Sequence, residues 1–383
     1  MKCQYEFVNH LAELHGLLVD QQSKDLFWAR LQCDCEESFE NIFRLYSWND
    51  PQREYIENPW LELVKTIRQL NKDQKKVFLY GAKITGKDIG ALLLRECDFF
   101  GYCARNHEKY IDGVHGKPVY PPEYLFEHSD ECYVMVTVMK CTDEIYSALE
   151  QHAFPKDHIL SVPYLNQAIH RQLIEKQYFD LPVSFPEGKA FVDAGCYDCA
   201  TSKQFAVWCA GNYSKIFAFE PDPDNFRQCE RIASDAGLRI ELIPAGLGDC
   251  SKEAVFAAGK QDGGFVINSE IEQLGAVFNT HLEHSVKSIP AQCTIQIISL
   301  DDVVKESEIG FIKMDIEGEE LSALRGAKKT IMRDKPLLAI SIYHRRGDVL
   351  AIMDYLHELI PQYRFWIRHY DILAYDTVLY AAI

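Results

Sequence analysis

The sequence predicts an α/β protein built from a mostly parallel seven-stranded sheet with a C-terminal antiparallel hairpin, a second and smaller α/β unit, and a helical N-terminal segment. Three observations predict it. Between 189 and 383 seven short apolar runs recur, and the first five are separated by helix-length or longer gaps, as parallel strands require. The last two lie only six residues apart, which favours a hairpin. A similar alternation of strand-like and helix-like stretches, on a smaller scale, fills 73–160.

Residues 1–72 are rich in Leu, Glu, Gln and Lys, and Leu11, Leu14, Leu17 and Leu18 recur at spacings near three and four, so this segment reads as helical. Ser47 to Pro51 is a turn between helices. In 73–160, Lys76 to Tyr80 reads as a strand, Gly81-Ala82-Lys83-Ile84-Thr85-Gly86 as its turn and Lys87 to Glu96 as a helix. Phe99 to Cys103 and Cys132 to Val138 are further strands, and the loop from Gly113 to Tyr124 carries three prolines. Residues 161–188 read as a connector, helical from Gln167 to Tyr178 and ended by Pro182 and Pro186. The seven strands of 189–383 are Lys189–Asp193, Ile216–Glu220, Ile240–Pro244, Phe311–Asp315, Leu337–Tyr343, Arg364–Tyr370 and Thr377–Ile383.

Composition narrows the function. Forty basic and 57 acidic residues give a net charge of −17, which argues against a nucleic-acid binder, since phosphates need a positive face. No apolar run reaches the length of a membrane span, and Glu6, His10, Glu13 and His15 interrupt what a signal peptide would keep apolar. The expectation is a cytoplasmic chain. Its 13 cysteines are odd in number and scattered, so they read as reduced. Cys33 and Cys35 are too close for a zinc knuckle. Cys196 and Cys199 form a true C-x-x-C, but an iron–sulfur site of the radical type needs a third suitably spaced cysteine, and Cys209 is too far along.

Ligands of such sheets bind at the carboxyl ends of the strands. Asp193, Glu220, Asp315 and His344 all fall at that edge. Gly195 follows the first strand and lets backbone approach a ligand closely, and the helix near Thr201 and Ser202 offers unpaired N–H groups. Glu220 comes 27 residues after Asp193, at the tip of the second strand, where a carboxylate can accept both ribose hydroxyls. Together these residues point to a nucleoside cofactor.

FVDAGCYDCATSKQF, IFAFEPDPDNF, ELIPAGLGD, ISLDD, FIKMDIEGEELSALRGA, LLAISIYHRRGD and RHYDILAYDTVLYA resemble, in order, the motifs of the FkbM-type methyltransferases. The resemblance covers nearly all of 189–383, and the block at 313–320 is its most specific part. It implies a Rossmann-like methyltransferase domain, S-adenosylmethionine (SAM) as cofactor, and O-methylation of a sugar or glycan precursor in polysaccharide biosynthesis. By matching positions, Asp193, Gly195, Glu220, Ala245 and Gly246 would surround the cofactor, with Pro221 and Asp222 at the adenine. The chain departs from the family at Cys199, where glycine is common. The unit at 73–160 resembles the small Rossmann-like modules that precede enzymes of polysaccharide biosynthesis, except that Lys83 replaces a turn glycine and Ala104 stands where an acid would hold a ribose.

Methyl transfer to a hydroxyl needs an aligned acceptor and a base. His344 and Asp315 are the first candidates and Glu317 the next. The same acids could instead hold Mg²⁺, a reading not favoured here. Arg345 and Arg346 are candidates for an anionic group on the acceptor. The alternative to an enzyme is a scaffold that keeps the fold while Cys199 spoils cofactor binding.

Overall fold

In the computed structural model, residues 2–45, 50–138, 141–162, 173–180, 183–257, 265–267, 292–371 and 373–383 are described. They fall into two units, Met1–Cys35 with Ile174–Ile383, and Glu36–Leu173.

The expected helical segment 1–72 is therefore divided. Helices α1 (Lys2–Gly16) and α2 (Gln21–Cys35) belong to the same unit as the C-terminal sheet, while α3 (Phe39–Arg44) and α4 (Asp50–Lys72) belong to the other. The reason is an open sheet edge. The Val19 amide donates to the Phe365 carbonyl and the Ile367 amide to Ser23 Oγ, so the chain around α2 satisfies backbone groups of the last-but-one strand. The buried Arg30 fixes α2 there, bonding Asp34 at 2.9 Å and the Ala374 carbonyl at 2.6 Å.

In the unit Glu36–Leu173, five parallel strands run in the order β3-β2-β1-β4-β5. They are β1 (Lys76–Tyr80), β2 (Gly101–Cys103), β3 (Val119–Tyr120), β4 (Cys132–Val136) and β5 (Ile159–Leu160). Helices α5 (Ile84–Glu96), α6 (Pro122–Glu127) and α7 (Thr142–Gln151) connect them. Phe78, Val134, Val136 and Leu149 close the core on one face. Residues 167–172 of the expected helix from Gln167 to Tyr178 lie outside the described residues.

The larger sheet has seven strands in the order β15-β16-β14-β13-β6-β7-β8. Five are parallel: β6 (Ala190–Ala194), β7 (Ile216–Phe219), β8 (Ile240–Ile243), β13 (Ile309–Met314) and β14 (Leu337–Ser341). The hairpin of β15 (Arg364–His369) and β16 (Thr377–Ala382) completes it, with β16 inserted antiparallel beside β14. The helices are α8 (Ala200–Trp208), α9 (Pro223–Ala236), α10 (Leu300–Val304), α11 (Glu320–Gly326), α12 (Lys328–Asp334) and α13 (Asp348–Leu359). Each expected strand lies within two residues of an observed one. β6, β13 and β14 are wholly buried, as a sheet covered on both faces requires.

A second sheet, which the sequence reading did not contain, pairs β9 (Gly246–Leu247), β10 (Lys252–Ala257), β11 (Phe265–Ile267) and β12 (Gln292–Ile298) in the order β11-β10-β12-β9. Its cue was the alternation in β12, where Ile295 and Ile297 are buried while Thr294 and Gln296 between and beside them are exposed. Among the described residues no helix is long and apolar enough to cross a membrane.

Candidate functional site

The carboxyl ends of β6, β7 and β13 meet at one point because β6 lies between its two neighbours. Gly195 leaves β6 with φ +74°, and a Cβ on it would stand 2.0 Å from the Asp315 carbonyl oxygen. Only glycine lets the loops after β6 and β13 touch. Beneath them Lys313 is buried near the carboxyl end of β13. Its Nζ donates to the carbonyls of Ala194 (3.1 Å) and Gly195 (2.7 Å) and stands 3.3 Å from Asp193. Burial opposes its charge, but Asp193 and Asp315 outweigh burial and hold Lys313 above its ordinary pKa. Ser202 Oγ donates to the other oxygen of Asp193 at 2.7 Å.

Asp193 and Ser202 thus pin the strand end to α8 rather than line the cleft in front of it. That cleft encloses about 640 Å³, its open mouth included. Gly195 and Tyr197 form one side, Glu220, Pro221, Ala245 and Gly246 the next. Phe256, Val266, Ile295 and Ile297 of the small sheet make an apolar wall, and Asp315, Glu317 and Glu319 close the fourth side. Glu220 accepts from the amides of Tyr197 and Asp222, each at 2.9 Å, which aims its carboxylate. Burial pushes it up to about 7 despite those bonds. Asp222 does not line the cleft. Its side chain caps α9, accepting from the amides of Asp224 and Asn225.

On the fourth side three acids surround one imidazole. His344 Nδ1 lies 2.9 Å from Glu320, and Nε2 lies 3.4 Å from Asp315 and 3.6 Å from Glu317. Burial alone would lower the pKa of His344, but Glu320, Glu317 and Asp315 push it up to about 10. It is therefore an imidazolium at neutral pH, fully buried, and supplies the counter-charge that the acids need. Asp315 accepts from Tyr178 at 2.6 Å and Tyr343 at 3.2 Å. Burial raises it, yet His344, Lys313 and Tyr178 outweigh that and leave it below the ordinary carboxylate value. Glu317 differs. Burial, reinforced by Asp315, Glu320 and Glu220, pushes it up to about 7 against the pull of His344. It also sits at φ +56°, a left-handed conformation costing a non-glycine residue about 1–2 kcal/mol.

The structure thus brings Gly195, Glu220, Pro221, Ala245, Gly246, Asp315 and Glu317 onto one cleft. His344 stands behind them. Arg345 donates to Glu319 at 2.7 Å, and the exposed Arg346 follows it. Cys199 is fully buried beside Cys196 and Cys229, and it does not line the cleft. The Cys199 and Cys196 sulfurs lie 4.0 Å apart, and the neighbouring Cys196 and Cys229 hold the Cys199 thiol well below its ordinary value. Sequence reasoning missed Lys313, Glu320, Tyr178 and Tyr343. Lys313 and Glu320 did carry a signal, being charged residues in the motif at 313–320 that a buried strand end would otherwise exclude.

Residues 193–365 match the family model described as the methyltransferase FkbM domain. Three solved structures match the chain at low identity. FkbM methyltransferase from Methylobacillus flagellatus KT is 18% identical, with 88% of this chain and 100% of that one covered and a TM-score of 0.49. An rRNA methylase from Streptococcus thermophilus is 17% identical over 56% of this chain and 93% of its own, TM-score 0.31. A protein of Streptococcus mutans described as a methyltransferase and solved in complex with SAH is 13% identical over 56% and 95%, TM-score 0.29. A search of curated proteins found none that matches the chain.

Proposed function

We propose that this chain, whose residues 193–365 match the model of the methyltransferase FkbM domain, is a SAM-dependent O-methyltransferase whose acceptor is a hydroxyl of a sugar or glycan precursor. The observation that carries the reading is the charge of the cleft. Among the described residues, four carboxylates and no lysine or arginine line it. A dinucleotide would bring a pyrophosphate into that field and be repelled, whereas a sulfonium cation is attracted.

The residues present fit SAM. Glu220 would accept the ribose hydroxyls, Pro221 and the wall of Phe256, Ile295 and Ile297 would cover the adenine, and Gly195 and Tyr197 would border the remaining side. Bound there, SAM supplies an electrophilic methyl group. The chain must then orient the acceptor and take its proton. Glu317 is the base in this reading: it lines the cleft, and a carboxyl held near 7 is half-ionised at neutral pH. Asp315 is its ionised neighbour, and the buried His344 holds both carboxylates in place as a positioning residue. This departs from the order expected from sequence, where His344 and Asp315 came together ahead of Glu317, because a buried imidazolium neither reaches an acceptor nor accepts a proton.

The pairing of Arg345 with Glu319 favours an uncharged hydroxyl acceptor over an anionic one. Cys199 lies away from the cleft lining, which supports the enzyme over the scaffold reading. Incubation with SAM carrying a labelled methyl group and a panel of neutral and uronic sugars tests the assignment. Label should enter a neutral sugar as an alkali-stable methyl ether. Label recovered only as an ester or on nitrogen would overturn it.

A further inference from the structure

Cys196 and Cys199 lie in the loop after β6, and Cys229 lies in α9 thirty residues on. Folding places their sulfurs together: Cys196 to Cys229 at 3.7 Å, Cys196 to Cys199 at 4.0 Å, and all three within 4.8 Å of one another. All three are buried. Thiolates bound to one ion at about 2.3 Å stand about 3.8 Å apart in a tetrahedron and about 4.0 Å apart in a trigonal plane. Two of the three separations, from Cys196 to Cys229 and to Cys199, already match ligand spacing. The loop reaches it by an irregular path, since Gly195, Tyr197 and Cys199 take φ of +74°, +50° and +59°. At residue 199 glycine would adopt this conformation freely, and a cysteine does so only at a cost.

We propose that Cys196, Cys199 and Cys229 form a binding site for one thiophilic metal ion, Zn²⁺ by preference, that ties the loop after β6 to α9. Three thiolates with Zn²⁺ leave one net negative charge in a buried place, and with Cu⁺ they leave two, so the divalent ion is favoured. Binding forms three metal–sulfur bonds, and the three thiol protons pass to solvent. Three protein ligands leave one position of the usual tetrahedron open. The site stands behind the cofactor cleft: Cys229 Sγ donates to the Tyr197 carbonyl at 3.1 Å, and the Tyr197 amide donates to Glu220. An ion there would hold the loop that aims Glu220.

The inference does not depend on methyl transfer, because metal content reads it. The full chain, purified reduced, is titrated with Zn²⁺ alone against a chromophoric chelator, and separately with Co²⁺ to read thiolate-to-metal charge transfer. One equivalent per chain, a rise in melting temperature with Zn²⁺ and the charge-transfer band are expected. Cys229→Ser and Cys199→Gly should each lose the bound ion, and Cys209→Ser should keep it. Cys199→Gly suits the left-handed backbone, so its circular dichroism should match wild type, which separates loss of a ligand from loss of the fold. Folded, reduced wild type that binds no Zn²⁺ overturns the proposal, as does retention of the ion by Cys199→Gly. A Cys196–Cys229 disulfide found by peptide mapping in metal-free protein would instead make the cluster a redox pair.

Discussion

Two glycine turns in this molecule follow two first strands of parallel sheets, and only one faces a site. After β1, Gly81 takes φ +135° and Gly86 packs so closely that a Cβ on it would lie 1.9 Å from the Gly81 carbonyl oxygen. Thr137 covers the strand end, donating toward the carbonyls of Tyr80 and Gly81, and after β2 comes the buried Ala104. After β6, Gly195 makes an equally tight contact, but with the loop of another strand, and the neighbouring strand ends in Glu220. A glycine turn is thus a packing device in both units. What makes a binding site of one is the acid at the next strand tip and the carboxylates brought up by β13.

That difference can be attacked at its strongest point first. Glu317→Gln should lower kcat about 10²–10⁴-fold, the usual contribution of a general base, with folding intact. The same variant tests the titration. Glu317 is held near 7 in the folded chain against an ordinary 4.5, so the folded state binds the extra proton and wild-type stability falls as pH rises between those values. Denaturant melts should show Glu317→Gln more stable than wild type by about 3 kcal/mol at pH 8 and level with it near pH 4. No crossover would contradict the raised carboxyl.

The glycines come next. Gly195→Ala and Gly86→Ala should each cost about 3 kcal/mol, because each new Cβ meets a backbone carbonyl. Only Gly195→Ala should also weaken SAM binding. Equal loss of SAM affinity in both variants would break the contrast between the units. The smallest effect is expected from Ala104→Glu, which puts an acid after β2. With Lys83 in the turn, calorimetry should register no gain of NAD binding, and a gain would mean that the missing acid alone had kept that unit inactive.

Much of this was legible because parallel, fully buried strands write themselves as short apolar runs, and their ends as the polar residues that follow. Asp193, Glu220, Asp315 and His344 fall at one edge on that basis, although Asp193 holds the strand end to α8 instead of lining the cleft. What was hidden depends on neighbours distant in sequence. Cys229 occupies one face of α9, and nothing local says that this face meets the loop after β6. His344 reads as a base until the structure surrounds it with Glu320, Asp315 and Glu317. The small sheet was overlooked because β9 and β11 span only two and three residues, too short for a period to show. The division of the N-terminal helices follows from the edge of β15, which the sequence of α2 does not announce.

The central claim is that the acid-lined cleft of the larger unit holds a sulfonium nucleoside through Glu220. Calorimetry of the wild-type chain with SAM and with NAD, beside Glu220→Ala, tests it most directly. SAM should bind at one site, weakened about 10–100-fold by Glu220→Ala, the worth of a charged hydrogen bond, and NAD should not bind. SAM binding untouched by the substitution, or NAD bound in its place, would contradict it.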